Sequence, residues 1–183
     1  MKQKQSILIL VAIFFATLLT TLNTGCGVYS FADVSIPDSV KSVRVNFIEN
    51  KARYVNPQLS PQLTERLRQK IVNQTRLQQT QNDNAHWDIN ATITQYDVST
   101  SAISSNQSGG TGGQRQGAVT NRLTVGIQMT VLNRLNNTSQ EFSVSRNFDF
   151  DAQLSLQNAE NQLLDEMLRN LTDDMFNRMF SNW

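Results

Sequence analysis

The chain has little with which to do covalent chemistry. Its 183 residues hold one cysteine, one histidine, three prolines and eight glycines, and its 15 acids nearly cancel its 16 bases. A single cysteine excludes an internal disulfide and a thiolate metal site, so packing alone must hold the fold. A single histidine excludes the paired-imidazole zinc motif His-Glu-x-x-His, and His86 stands beside Trp87 at a strand start, where structural roles are commoner. No Gly-x-Ser-x-Gly elbow occurs. The balanced charge excludes the strongly basic footprint of a nucleic-acid binder and a polybasic membrane patch. Asp149/Asp151 and Asp173/Asp174 are acid and base pairs in principle. Asp173 and Asp174 are adjacent on a predicted helix, where neighbours do not face each other, and read as solvated. The expectation is a protein that is not an enzyme and uses no cofactor and no metal.

Long apolar runs are missing too, with one exception at the start. Behind Lys2 and Lys4, Ile7 to Leu19 is apolar at every position but Thr17, and small polar residues follow as far as Gly25. Crossing about 30 Å of hydrocarbon takes about 20 apolar residues, so this run is too short for a transmembrane helix. Its order is that of a secretory signal peptide. The lone cysteine comes directly after Gly25, the placement that marks a lipoprotein signal: the thiol takes a diacylglycerol, and cleavage leaves Cys26 as an acylated N-terminus. Leucine usually stands three residues ahead of that cysteine; here Asn23 does, with Leu22 one step further out. A plain cleaved signal with a free thiol is the alternative. One acyl chain binds a membrane only marginally, with K of about 10⁴ M⁻¹, so permanent attachment takes two or three palmitate-like chains. Removing residues 1–25 leaves 158 residues with 14 bases and 15 acids, enough chain for one domain.

Residues 26–40 lack a helical period and contain Pro37, which suits an extended lead-in from the lipid anchor. Within it, Asp38-Ser39-Val40 matches a tripeptide used for O-glycosylation in one bacterial phylum, making Ser39 a candidate modification site. Val43, Val45 and Phe47 alternate with Ser42, Arg44 and Asn46 and predict a first strand over 41–49. Ser60-Pro61 offers an N-cap followed by proline at the first helical position. Leu59, Leu63, Leu67 and Ile71 then recur every four residues, the stripe of a helix lying on a sheet. Leu77 to Gln81 is a candidate short strand. Trp87, Ile89, Ala91 and Ile93 predict another, and the change of phase at Tyr96 and Val98 predicts a bulge near Gln95.

Residues 99–120 are rich in glycine and serine, with too little apolar surface to fold, and read as a flexible hairpin loop. Those glycines do not make a phosphate cradle, because no Gly-Lys-Ser or Gly-Lys-Thr occurs and the next element is a strand. Leu123, Val125, Ile127, Met129 and Val131 form the longest alternation, and Phe142, Val144, Phe148 and Phe150 continue it beyond the turn at Asn136 to Ser139. Arg146 falls on the apolar phase of that partner strand. It marks either a frayed or bulged position or a charge on a shielded face, paired structural arginines being the commoner case. From Leu156 to Phe180 apolar residues recur at helical spacing over about seven turns. The predicted architecture is a two-layer α/β sandwich, order β-α-β-β-β-α, with two helices on one face of a mixed sheet of about four strands, forming one domain over 41–183.

Cys26-Gly27-Val28-Tyr29-Ser30-Phe31, then Ser35-Ile36-Pro37 and the Val43 to Phe47 strand, resembles the start of the lipopolysaccharide-assembly outer-membrane lipoproteins (LptE-like), most of all the Bacteroidetes type with its relaxed lipoboxes. The resemblance implies a protein held by acyl chains in the inner leaflet of the outer membrane, facing the periplasm. It implies one partner, a large β-barrel translocon that the lipoprotein plugs and helps to assemble, and one cargo, lipopolysaccharide delivered to the cell surface. It also implies phosphate contacts from basic side chains, for which Arg115 in the loop and Arg122 and Arg134 at the ends of the third strand are the candidates by position. Solvated arginines keeping edge strands soluble are the competing reading of all three. A periplasmic ligand-binding or transporter-accessory lipoprotein of the same fold is the other functional class; a deep apolar pocket between helices and sheet would favour it.

Overall fold

The structure, a computed structural model, describes residues 36–102 and 119–180. The expected signal peptide, Cys26, most of the lead-in and Arg115 lie outside them. The elements are β1 (Ser42–Val45), β2 (Glu49–Asn50), α1 (Leu59–Gln74), β3 (Gln78–Gln79), β4 (Trp87–Ala102), β5 (Val119–Asn133), β6 (Thr138–Asp151) and α2 (Leu156–Phe180). The strands form one mixed sheet in the order β3-β1-β4-β5-β6, with β2 also on β4. β1, β2 and β3 pair in parallel; β4, β5 and β6 form an antiparallel meander.

The α/β class, the two helices and the mixed sheet are as the periodicity predicts, but the strand count is not. Six strands replace the expected four or so, and the order is β-β-α-β-β-β-β-α rather than β-α-β-β-β-α. Both extra strands are two residues long, too short to carry an alternation; β3 lies within the candidate short strand Leu77 to Gln81, and β2 was not expected. The strand expected over 41–49 is interrupted: between the pairs Val45↔Ile89 and Glu49↔Thr92 the outer chain has one residue more than β4, the count that defines a bulge. Backbone groups at such a break need partners, and α1 supplies them. Thr64 Oγ1 accepts from the Ile48 N–H at 3.0 Å, and Arg68 donates to the Val45 carbonyl through Nε and Nη2 at 3.2 and 2.8 Å.

α1 starts at Leu59, one residue before the expected Ser60 cap. Gln58 takes the N-cap place without a side-chain bond. Ser60 is buried in the first turn, and its hydroxyl has no partner among the described residues. Asn56 shapes the approach instead, its Oδ1 accepting from the Gln58 N–H at 2.9 Å. At α2 the cap is Ser155, whose Oγ accepts from the Asn158 N–H at 3.3 Å.

Both helices lie on one face of the sheet. Val43, Val45, Ile89, Ile93, Leu123, Val125, Ile127, Met129 and Phe148 bury that face, α1 covers it with its leucine stripe, and α2 with Met167, Leu168, Leu171, Met175 and Phe180. Each large apolar side chain so placed stabilises the fold by about 1.5–3 kcal/mol. The predicted bulge is present as a register shift between Ile93 and Gln95. Gly126 faces it, and a β-carbon there would stand 3.0 Å from the Gln95 Cβ. The long hairpin reaches further than its composition suggests. Of the expected loop 99–120, Ser99 pairs with Arg122, Thr100 with Asn121 and Ala102 with Val119, so 99–102 and 119–120 are strand. Among the described residues, no helix is long and apolar enough to cross a membrane.

Candidate binding surfaces

The second face of the sheet presents mainly amides and hydroxyls, because nearly every residue opposite in phase to the core is polar or small, Leu132 at the end of β5 being an exception. Along β5 and β6 these include Thr124, Gln128 and Thr130, paired with Asn147, Ser143 and Glu141. At one end of this face, charges converge on Asp88, which is 3% exposed. Arg44 grips it with a two-point fork, Nε to Oδ1 at 3.0 Å and Nη2 to Oδ2 at 2.5 Å. Arg134 Nη2 donates to Oδ2 at 2.7 Å, and Asn46 Nδ2 to Oδ1 at 2.7 Å. Four hydrogen bonds thus fill the carboxylate, and Arg44 also pairs with exposed Asp83. The Arg44 guanidinium, more than burial can oppose, holds Asp88 below the usual carboxylate range, and Asp88 in turn raises Arg44. At the far end of β5, Arg122 makes a second fork to Asp149, Nε to Oδ1 at 2.7 Å and Nη2 to Oδ2 at 2.9 Å, which lowers the Asp149 pKa.

The helix side carries ion pairs that join elements. Arg146 points toward α2 and forks onto Asp174, Nε to Oδ2 at 2.7 Å and Nη2 to Oδ1 at 2.5 Å. It is therefore a paired charge on the helix side of the sheet, at a position that stays 43% exposed, and no bulge displaces it, since it stays in register opposite Val125. Lys70 of α1 reaches Asp173 at 2.8 Å and lies 5.3 Å from the centre of the Phe176 ring. Asp173 and Asp174, expected to be solvated, are each bound to another element's cation.

A third cluster lies under the loop before α1. Tyr54 stacks on Tyr96 with ring centroids 5.5 Å apart. Both phenols meet Glu160 of α2, Tyr96 at 2.6 Å to Oε1 and Tyr54 at 3.3 Å to Oε2. Glu160 is 6% exposed and, among the described residues, has no cation in ion-pair range. Burial first, then the bond to Glu160, raises the Tyr96 pKa far above its ordinary value. Sequence reasoning missed this cluster. Its one signal was a glutamate directly beside Ala159 in the apolar stripe.

Of the basic residues singled out by position, Arg122 and Arg134 lie near the two ends of β5, each held by a carboxylate, and the structure does not bring them together. Cys26 and Arg115 are outside the described residues. His86 holds the backbone: its Nδ1 accepts from the Lys41 N–H at 3.0 Å, and its carbonyl accepts from the Arg134 N–H at 2.8 Å. Ser39 is exposed in the turn closed by the Val40 N–H bonding to the Pro37 carbonyl at 3.0 Å. Among the described residues no three histidine, cysteine, aspartate or glutamate side chains could hold a metal.

No curated protein matches this sequence. Among solved structures, a neuraminyllactose-binding hemagglutinin homologue from Helicobacter pylori aligns with 7% identity and a TM-score of 0.52, over 77% of this chain and 83% of that one. It shows a shared fold and says nothing of activity. Lipoprotein GNA1162 from Neisseria meningitidis aligns at 10% identity and TM-score 0.41, over 73% of this chain and 99% of that one. A minor lipoprotein from Acinetobacter baumannii aligns at 14% identity and TM-score 0.36, over 74% and 86%. The family model described as lipopolysaccharide assembly, LptE, matches residues 40–179, which takes in all six strands and both helices but for the last residue of α2. On that match, the chain belongs to the lipopolysaccharide-assembly family.

Proposed function

We propose that this chain is a non-enzymatic lipoprotein of the outer membrane, anchored through acylated Cys26 and facing the periplasm, that plugs a large β-barrel translocon and helps it assemble, so that lipopolysaccharide reaches the cell surface. The family match over residues 40–179 is the observation that carries this reading. Two features of the domain support it. The interface between helices and sheet is filled by side chains such as Leu63, Leu67, Met167 and Leu171, each at most 1% exposed, which leaves the ligand-pocket alternative without a feature in its favour there. The uncovered sheet face is polar, and its strongest charges cancel in pairs, a surface suited to the hydrated interior of a barrel. Affinity purification of the full chain from detergent-extracted outer membranes is the test. Recovery of a stoichiometric large barrel protein is expected, and its repeated absence would count against the reading.

Lipopolysaccharide phosphates remain assigned to Arg115, Arg122 and Arg134. Since Asp149 and Asp88 already hold two of these arginines, a phosphate must compete with a carboxylate for them. Replacing all three with glutamine should weaken lipopolysaccharide binding; unchanged binding by a folded triple variant would remove the assignment.

A further inference from the structure

The sheet ends on one side in β3, two residues long, and on the other in β6, which runs unbroken from Thr138 to Asp151. Which backbone groups of β6 face outward follows from the bonds made by β4. The Ile89 and Ile93 carbonyls accept from the Asn46 and Lys51 N–H groups at 3.0 and 2.9 Å, so by alternation Asn90 and Thr92 turn toward β5. Carried through the registers Asn90↔Thr130 and Val131↔Gln140, the same alternation aims the even-numbered residues of β6 at β5. Ser139, Glu141, Ser143, Ser145, Asn147 and Asp149 therefore present their N–H and C=O groups to the open edge, where no strand pairs with them among the described residues. Most devices that keep an edge from pairing are missing from β6: it has no proline, no glycine, no lysine and no break in its register with β5. Its inward charge, Arg146, is already held by Asp174. Phe142 and Val144 stay half-buried although Met129 and Ile127 beside them are fully buried, which leaves apolar surface open at this edge.

We propose that two copies of this chain pair β6 to β6, antiparallel about a two-fold axis at Val144, and so continue the sheet across the junction. The axis decides which residues meet. Ser143 pairs with Ser145 of the second copy, Glu141 with Asn147 and Ser139 with Asp149, which gives every outward backbone group a partner and opposes no like charges. On the helix side Val144 meets its own counterpart and Phe142 meets Arg146, covering the half-open apolar surface. Moving the axis to Ser145 would set Glu141 against Asp149, and moving it to Ser143 would leave Asp149 unpaired. This complementarity of the strand to itself points to a second copy rather than to an unrelated strand. One patch used twice closes at two copies, because the other edge of the sheet is only two residues long. The pairing concerns the free chain and does not depend on the barrel reading.

Native mass spectrometry of the full chain, purified in detergent, tests this, and a dimer is expected at micromolar concentration. Ser143→Pro removes an outward N–H and no bond to β5, so the variant should keep the parent circular dichroism spectrum. Its dimer dissociation constant should rise about thirtyfold, one hydrogen bond being lost in each copy. Val144→Cys reads the register. The pair on the axis is of the kind without mutual hydrogen bonds, whose Cα atoms stand about 4.5 Å apart, within reach of a disulfide. Mild oxidation should therefore join the two introduced thiols, and peptide mass mapping separates that bridge from any through Cys26. Ser139→Cys places its two thiols about 34 Å apart, at about 3.4 Å per residue, and should give no bridge. A monomeric parent, a dimer indifferent to Ser143→Pro, or bridging as ready through Ser139→Cys as through Val144→Cys would overturn the proposal.

Discussion

Replacing Asp88 by alanine would remove the centre of the charge network on the open sheet face. Four hydrogen bonds are lost, but they form one network and do not add. The Arg134 side chain is 40% exposed and regains water, whereas that of Arg44 is 16% exposed and keeps a poorly solvated charge. Breaking a buried pair from one side costs about 3–5 kcal/mol. The remaining pair with Asp83 relieves Arg44 in part, which brings the expected loss to about 3 kcal/mol, or a fall in Tm of about 6–12 °C for a domain of this size. Asp88→Asn keeps the shape and one acceptor, and about half that loss is expected. Urea denaturation followed by circular dichroism at pH 7 measures both, and an Asp88→Ala protein within about 1 kcal/mol of the parent would refute the reasoning. The pH dependence gives a second check. Because the folded pKa of Asp88 is lowered, its contribution is present above the unfolded value of about 3.9 and is lost as pH falls through the folded value. The gap between parent and Asp88→Asn should therefore narrow only below about pH 4.

Three further outcomes follow from the same packing. Tyr96→Phe leaves Glu160 with only the longer Tyr54 bond and should cost about 1–3 kcal/mol in urea. The raised Tyr96 pKa means stability that is complete below the unfolded value of about 10 and lost as pH rises through the folded one; the variant should lack that alkaline loss. A double-mutant cycle on Arg146 and Asp174 should give a coupling of about 0.5–1 kcal/mol, discounted because the arginine is 43% exposed; a coupling of zero would make the fork decorative. Gly126→Val should destabilise by about 1–3 kcal/mol by pushing on Gln95 across the bulge, and Gly126→Ser by less.

The parts of the fold that were legible are those where burial is one-sided. In β5, Leu123 to Val131 alternate because one face meets two helices and the other meets water, and that asymmetry is written directly into the residue types. The bulge was legible for the same reason. Ile93 and Tyr96 are three apart yet both buried, and a strand can do that only by slipping one residue. β3 falls within the candidate short strand Leu77 to Gln81, though without a period to mark it, and β2 left no imprint at all. Two residues cannot establish a period, and these strands exist because β1 and the long β4 offer unpaired edges for residues 49–50 and 78–79 to dock on.

The charged clusters were illegible to the degree that their partners come from other elements. Asp173 and Asp174 read as solvated when judged on their own helix, but Lys70 is 103 residues away and Arg146 is 28. Glu160 meets Tyr96 and Tyr54 across 64 and 106 residues. What the sequence did hold was a violation of phase: Arg146 on the apolar side of a strand and Glu160 in the apolar stripe of a helix. Such a violation means that a distant element must supply polar partners, because a buried charge left alone would cost far more than its pairing returns. Asp88 broke no phase and gave no warning, although it is among the most buried charges described. The two violations differ in how they were met. Arg146 received a carboxylate, while Glu160 received two phenols.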